Sequence, residues 1–437
     1  MSAIAETMKS FGYTVTGSDA MQSTITDNLI RTGIPVVIGS DLENSKKADL
    51  VIYSAAIKED DPEIINAKEN GVCLVDRGTF VGYLTKKYKE SICISGTHGK
   101  TTTTSMISVC FLESNYDPTI QVGAILKEIN GNYRIGSNEY FILEACEYKR
   151  NFLKFFPKTE VVLNIDNDHL DYFKTFENIK QTFIDYAKLL PEDGILVTNA
   201  DDVNCLELLK NTKATCYTYA INKKDANFTA ENIVFDENGF ARYKLYKDGK
   251  FLEDIKLSVV GTHNVLNSLA CIAVCMAYKI DIKIIKSALE KFTGAHRRLE
   301  YVGKCNGANV YDDYGHHPTE IMATSSAIKN KKYNKTWVVF QPHTYSRTKN
   351  LLNEFANALT DFDNIIVTDI YAAREKNTFG ISSQDLVNKV KEQGKNAIYI
   401  KEFENIEEYL KNNVTKDDLI LTLGAGSVLD IAYSIVK

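Results

Sequence analysis

The segment Gly96-Thr97-His98-Gly99-Lys100-Thr101-Thr102-Thr103-Thr104 follows directly on the apolar run Ile92-Cys93-Ile94. A strand, a glycine turn, a lysine and a hydroxyl run make a phosphate-binding loop. The backbone N–H groups of such a loop converge on phosphate oxygens, and the next helix adds its positive N-terminal end. In this pattern Lys100 reaches the terminal phosphates and Thr101 holds Mg²⁺ through its hydroxyl, so ATP and Mg²⁺ are the expected cofactors. The loop is short, with Ile94 where the common motif has its first glycine, which argues against a generic kinase or GTPase. The competing reading is a ligand-free Gly/Thr turn. Four consecutive threonines are poor helix formers, which weighs against it.

Other candidates lie where strands end. Glu144 follows the apolar run Tyr140–Leu143, and Asp168-His169 follow Val161–Ile165. In open parallel sheets ligands bind beyond the carboxyl ends of the strands, so Glu144, His169 and the loop are expected to face one pocket. A carboxylate and an imidazole there could hold Mg²⁺, although Mg²⁺ prefers oxygen and a structural hydrogen-bonding role for His169 stays open. Asp312-Asp313-Tyr314-Gly315-His316-His317-Pro318 suits ribose or phosphate recognition better than a metal, because adjacent side chains on a strand point apart. A polar helix start is the alternative. Gly261-Thr262-His263-Asn264-x-x-Asn267 can read a base edge or simply cap a helix. Arg297-Arg298 can neutralise a transferring phosphoryl group or form a solvated linker. Gln341-Pro342-His343-Thr344-Tyr345-Ser346-Arg347-Thr348 and Ala373-Arg374-Glu375 can each clamp a carboxylate through arginine.

The elements that must position these residues read as alternating α/β. The 437 residues suggest two to four domains, with 44% hydrophobic and 25% charged residues, ordinary for a soluble protein. The net charge of −6 offers no basic field for nucleic acid. No apolar run reaches the roughly 20 residues that span a bilayer, and the opening residues do not read as a signal peptide. Nine scattered cysteines without CxxC pairs fit a reducing cytoplasm, with Cys93, Cys271 and Cys275 read as small core residues. The expected location is therefore cytoplasmic, without nucleic acid or membrane insertion. A first helix over Met1–Phe11, stopped by Gly12, precedes a strand at Tyr13–Val15 and further strands at Val36–Ile38, Leu50–Tyr53 and Val72–Val75. A second block carries strands at Ser91–Ser95, Tyr140–Leu143, Val161–Ile165 and Gly194–Thr198. An antiparallel edge follows at residues 213–256, with helices over Asn264–Tyr278 and Ile282–Phe292. The third block alternates strands at Trp337–Phe340, Asn364–Thr368, Ala397–Ile400 and Leu419–Leu423 with helices, and its Gly424-Ala425-Gly426-Ser427 turn is as easily a packing feature as a ligand site.

Taken in order, the glycine–lysine loop, Glu144-Ala145-Cys146-Glu147-Tyr148, Asn164-Ile165-Asp166-x-Asp168-His169, His263-Asn264-x-x-Asn267, Arg297-Arg298 and the Asp312–Pro318 motif closely resemble the Mur ligase family. The resemblance spans essentially the whole chain, and its motifs are specific in combination. It implies three α/β domains: a Rossmann-like UDP-sugar domain at residues 1–88, a P-loop ATPase-like centre at 89–296, and a Rossmann-like ligase domain at 297–437. It implies an ATP-dependent ligase that joins L-alanine to UDP-N-acetylmuramate through an acyl phosphate, as a monomer or homodimer. Thr101, Glu144 and His169 would then be magnesium ligands. Gly96, Thr97, His98, Gly99, Lys100 and Thr102 would bind phosphate, His263, Asn264 and Asn267 adenine, and Asp313 ribose. Arg298, His316, His343, Arg347 and Arg374 would serve the reacting groups or the alanine, and Ser18, Asp19 and Ser54 the UDP-sugar. Family members open with a strand and a glycine-rich UDP loop, and this chain starts at what looks like that motif's Met, so the first domain is expected to be truncated. Phe183 falls where some members carry a carbamylated lysine, so none is predicted. Another ligase of the family, or a nucleotide-binding homologue inactive through loss of the UDP loop, is the alternative; a P-loop kinase is disfavoured.

Overall fold

The computed structural model describes every residue except Ala55, Glu237, Asn238, Asn330, Lys331, Lys332, Arg374 and Lys437. The chain divides into two compact units. The first comprises Met1–Lys100, Phe111–Gly123 and Glu128–Thr218, and the second Thr101–Cys110, Ala124–Lys127 and Tyr219–Lys437.

The first unit opens with the helix Ser2–Ser10, as its apolar spacing predicts. The strand expected at Tyr13–Val15 does not form; the first strand is Gly17–Asp19. The helix stop explains the difference. Gly12 adopts φ +88°, and the Tyr13 N–H donates back to the Met8 carbonyl, so it is spent on the helix end. Gly17–Asp19 pairs in parallel with Val36–Ile38, and Leu50–Tyr53 with Cys73–Asp76. The unit's main sheet runs in the order Ile195–Asn199, Thr159–Val162, Glu90–Ser95, Tyr140–Glu144, Thr119–Leu126, Gly131–Arg134. Pairing is parallel from Ile195–Asn199 through Thr119–Leu126, which places the carboxyl ends of these strands together. One core face gathers Cys93, Phe141, Leu143, Phe152, Phe183 and Tyr186. Phe152 stacks on Tyr186 at 4.1 Å between centroids and meets Phe183 edge-on at 5.3 Å. Phe183 is thus an apolar core residue. Glu160, in the strand Thr159–Val162, is fully buried, and neither carboxyl oxygen has a hydrogen-bond partner. Burial pushes its pKa well above the usual carboxylate range.

In the second unit, Phe228–Phe235, Phe240–Lys247 and Lys250–Val260 form the expected antiparallel ribbon. Its outer member pairs in parallel with Tyr219 and Ala220. The helix Thr262–Ala277 follows and buries most of its length, including Leu269–Cys275. The helix Ile282–Lys291 comes next, capped by the Asp281 carboxylate, which accepts the Lys283 N–H. The C-terminal sheet runs Glu300–Cys305, Ala308–Asp313, Leu419–Leu423, Thr336–Phe340, Asn364–Val367, Asn396–Tyr399. Every pairing is parallel except that of the edge strand Glu300–Cys305, which its sequence does not announce. Separate apolar clusters cover the two faces, one built on Phe340, Phe355 and Leu386 and the other on Trp337, Ile406 and Ile431. This is the doubly wound arrangement expected for the third block.

Candidate active site

The loop Gly96–Gly99 leaves the central strand Glu90–Ser95 at its carboxyl end and leads into the helix Lys100–Glu113. Gly96 has φ +131°, and a Cβ there would lie 3.0 Å from the Leu163 side chain and 3.1 Å from its backbone nitrogen. Only glycine suits this position. The loop is fastened to the segment after the neighbouring strand. The Thr97 N–H donates to the Asn164 carbonyl at 3.2 Å, and the His98 N–H to Asn164 Oδ1 at 2.8 Å. Asn164 Nδ2 returns a bond to the His98 carbonyl at 3.0 Å, and the Asp166 N–H donates to Thr97 Oγ1 at 2.9 Å. His98 Nε2 lies 3.2 Å from Asp166 Oδ2. The Thr97 and His98 side chains therefore hold the shape of the loop.

Lys100 Nζ donates to the Gly96 and Thr97 carbonyls and lies 3.1 Å from Glu147 Oε2. The pair is largely buried, with side-chain exposures of 17% and 3%. Burial alone would lower the Lys100 amine; the Glu147 carboxylate outweighs it and lifts the pKa to about 12. His169 Nε2 also faces Glu147, at 3.8 Å, and its ring packs 4.7 Å from Tyr148. His169 adopts φ +54° at the start of the short helix Leu170–Phe173. Glu144, the last residue of its strand, accepts the Gly123 N–H. The first unit thus brings together the loop, Lys100 and His169 around Glu147, with Glu144 close by in sequence. Glu147 lies within the Glu144–Tyr148 motif, but the sequence alone assigns it no role. Its signal was the acidic pair three residues apart, which does not say which carboxylate turns inward.

In the first unit Glu144 offers a carboxylate, which fits a hard divalent cation, and His169 an imidazole, a less usual donor; in the second unit Thr101 offers a hydroxyl oxygen.

In the second unit, Arg298 Nη2 donates to Thr101 Oγ1 at 3.4 Å. Arg297 does something else. Its guanidinium bonds Asp312 at 2.9 Å and the Gly424 and Gly426 carbonyls at 2.6 and 3.1 Å. The pair is therefore not a solvated linker, because Arg297 clamps the glycine turn. That turn is tight: a Cβ on Gly426 would sit 2.2 Å from Gln341 Oε1 and 2.8 Å from the Tyr371 ring. Asp313 is buried and accepts the Leu299 and Gly315 N–H groups, each at 2.7 Å. Burial raises its pKa to about 6, against the lowering pull of Arg298. Asn267 Nδ2 donates to Asn264 Oδ1 at 3.0 Å, and Asn264 Nδ2 to the Val260 carbonyl at 2.8 Å. No side chain caps this helix, so the capping alternative for Thr262 and Asn264 fails; His263 stands exposed in its first turn. His316, His343 and Tyr371 form a row with centroids 5.5 and 5.6 Å apart, and Arg347 Nη1 lies 3.3 Å from His343 Nδ1. Arg374 lies outside the described residues.

Of the proposed UDP-sugar contacts, Ser18 donates to Glu63 at 2.9 Å, Asp19 accepts the Met21 N–H at 3.2 Å, and Ser54 accepts the Ala56 N–H at 3.2 Å. Ser18 and Asp19 end one parallel pair of strands, and Ser54 follows a strand of the other. Among the described residues no helix is long and apolar enough to cross a membrane.

Three family models match: the Mur ligase family catalytic domain over residues 1–89, the Mur ligase middle domain over 94–275, and the Mur ligase glutamate ligase domain over 297–426. The chain belongs to the Mur ligase family. Within it, the chain is 51% identical over 437 residues to the UDP-N-acetylmuramate–L-alanine ligase of Acetivibrio thermocellus, covering 100% of this chain and 93% of that protein. It is 47% identical to the ligase of the same name from Clostridium beijerinckii, covering 100% and 95%. A solved UDP-N-acetylmuramate–alanine ligase from Thermotoga maritima superposes with a TM-score of 0.84 at 29% identity, covering 100% of this chain and 95% of that one. A murein peptide ligase from Psychrobacter arcticus shares the fold, with a TM-score of 0.71 at 22% identity over 100% of this chain and 95% of that one. The Mur ligase assignment matches the α/β architecture and motif order expected from the sequence.

Proposed function

We infer that this Mur ligase is the alanine-adding enzyme of the family: an ATP-dependent carbon–nitrogen ligase that joins L-alanine to UDP-N-acetylmuramate in peptidoglycan precursor synthesis. The observation that carries the reading is the 51% identity to such a ligase along the whole chain. ATP and Mg²⁺ are the proposed cofactors. The reaction consumes ATP and yields ADP, phosphate and UDP-N-acetylmuramoyl-L-alanine. The lactyl carboxylate attacks the γ-phosphate, and the amine of alanine then displaces phosphate from the acyl carbon. The first step needs alignment and charge neutralisation more than covalent help.

Lys100, positively charged and already bound to backbone carbonyls of the loop, is suited to the terminal phosphates. We assign Thr101, Glu144 and His169 to Mg²⁺, which would supply further neutralisation there when bound. Arg298 serves the transferring phosphoryl group, Asn264 and Asn267 the adenine, with exposed His263 beside them, and Asp313 the ribose. His316, His343 and Arg347 serve the acyl phosphate or the alanine. Ser18, Asp19 and Ser54 serve the UDP-sugar. Residues 1–88, 89–296 and 297–437 divide this work as UDP-sugar, ATP and ligase domains, in a monomeric or homodimeric cytoplasmic protein without nucleic acid or membrane insertion. The test is phosphate release from ATP with UDP-N-acetylmuramate and a panel of amino acids. Release is expected to depend on both the sugar nucleotide and L-alanine. Alanine-independent release, or none, overturns the reading.

A further inference from the structure

Three thiols that no role above uses meet in the interior of the second unit. Cys271 and Cys275 lie one turn apart on the helix Thr262–Ala277, on the same face. Cys110 comes from the helix Lys100–Glu113. Their sulfurs are 3.7 Å apart for Cys110 and Cys271 and 3.8 Å for Cys271 and Cys275, and all three lie within 4.8 Å of one another. All three residues are fully buried. An ion bonded to three thiolates at about 2.3 Å holds its sulfurs roughly 3.4–4.0 Å apart, for angles at the ion between about 95° and 120°. The triad is therefore close to the dimensions of a three-sulfur ion site before any ion arrives.

Charge decides which ion. Burial pushes the Cys271 and Cys275 thiols well above their ordinary range, and the groups acting on them are the neighbouring thiols, with no basic side chain among them. Three thiolates around Cu(I) would carry a net charge of −2 into this interior, and around Zn²⁺ −1. Burying such charge is costly. A trivalent thiophilic centre leaves none.

We propose that Cys110, Cys271 and Cys275 form a binding site for a trivalent thiophilic centre of the arsenous acid type. Three S–H and three As–O bonds break, and three As–S bonds form. The thiol protons leave with the hydroxyls as three molecules of water. No oxidation occurs, and the product is neutral. The bound centre ties together the helices Lys100–Glu113 and Thr262–Ala277. The proposal does not depend on the ligase reading.

The test is native mass spectrometry of the full chain with arsenite, followed by denaturation, alkylation and peptide mapping. One arsenic per chain is expected, heavier than the apoprotein by arsenous acid less three waters. Cys110, Cys271 and Cys275 should all escape alkylation in the adduct, while exposed Cys73 and Cys146 are alkylated. Cys271→Ser, which removes the sulfur shared by both short contacts, should abolish uptake, and Cys146→Ser should not. The wild-type peptide map tests the proposal even if Cys271→Ser fails to fold. No adduct, an adduct held by other cysteines or by only two of the three, or uptake of Zn²⁺ or Cu(I) in preference to arsenite would overturn it.

Discussion

Lys100 and Glu147 form a buried ion pair beside the glycine–lysine loop, and its two charges have different jobs. The carboxylate holds the lysine charged and aimed at the loop; the lysine compensates a carboxylate with 3% exposure. Replacing Lys100 by Met leaves that carboxylate uncompensated, which costs about 3–5 kcal/mol of stability. Adding Glu147→Gln should recover much of the loss in denaturant unfolding, while alanine-dependent phosphate release stays down by about 10²–10³-fold. If the double variant recovers activity with stability, Lys100 has no chemical role. Asp313 carries a second signature. Its folded pKa of about 6 exceeds the ordinary value of 3.8, so its contribution to stability is full below pH 3.8 and is lost as pH rises through 6. Asp313→Asn should gain on the wild type across that window by up to about 3 kcal/mol and hold the gain above it. Parallel unfolding curves at pH 4 and pH 7 read this directly. The glycine–lysine loop was legible in the sequence because glycine, lysine and threonine have few other reasons to follow an apolar strand in that order. The distinction between Arg297 and Arg298 was not. Where two neighbouring arginines point depends on the backbone between them, and here Arg297 adopts a φ of +60° that its residue type does not announce.

At the scale of elements, parallel strands end together and put the loop, Glu144 and the segment leading to His169 at one edge of a sheet. Most of those strands were readable as continuous apolar runs, as expected for parallel strands buried on both faces. Thr119–Leu126 and Glu300–Cys305 were not. Each is partly exposed and carries polar residues between the apolar ones, so neither a continuous run nor a strict alternation marks it. The glycine turn after Leu419–Leu423 resolves in favour of packing. Gly426→Ala would drive a methyl into Gln341 and Tyr371, and a loss of roughly 1–3 kcal/mol is expected in chemical denaturation. Glu160 is the reverse case, a residue whose replacement should help. A buried carboxyl without partners costs roughly 1–3 kcal/mol, so Glu160→Met should stabilise by about that amount at neutral pH. The raised pKa fixes the sign: the wild type loses ground as pH rises above 4.5, so the advantage of the variant should shrink toward acid. An advantage constant with pH would mean that Glu160 does not titrate on unfolding.

At the scale of the molecule, three α/β segments could be read from the alternation of strands and helices, and three family models match along the chain. What linear reading could not supply is where compactness divides. The second unit includes Thr101–Cys110 and Ala124–Lys127, short stretches that precede most of its sequence. Within Thr101–Cys110, Met106, Ile107, Val109 and Cys110 are all buried. A recombinant piece ending at Thr218 would carry these apolar side chains without the partners that cover them. A piece beginning at Tyr219 would lack part of its own interior, including one of the three clustered thiols. Neither piece is a natural unit for expression, crystallography or fragment complementation. Dissecting this ligase therefore calls for point substitutions in the intact chain, because its helix Lys100–Glu113 belongs partly to each body of the protein.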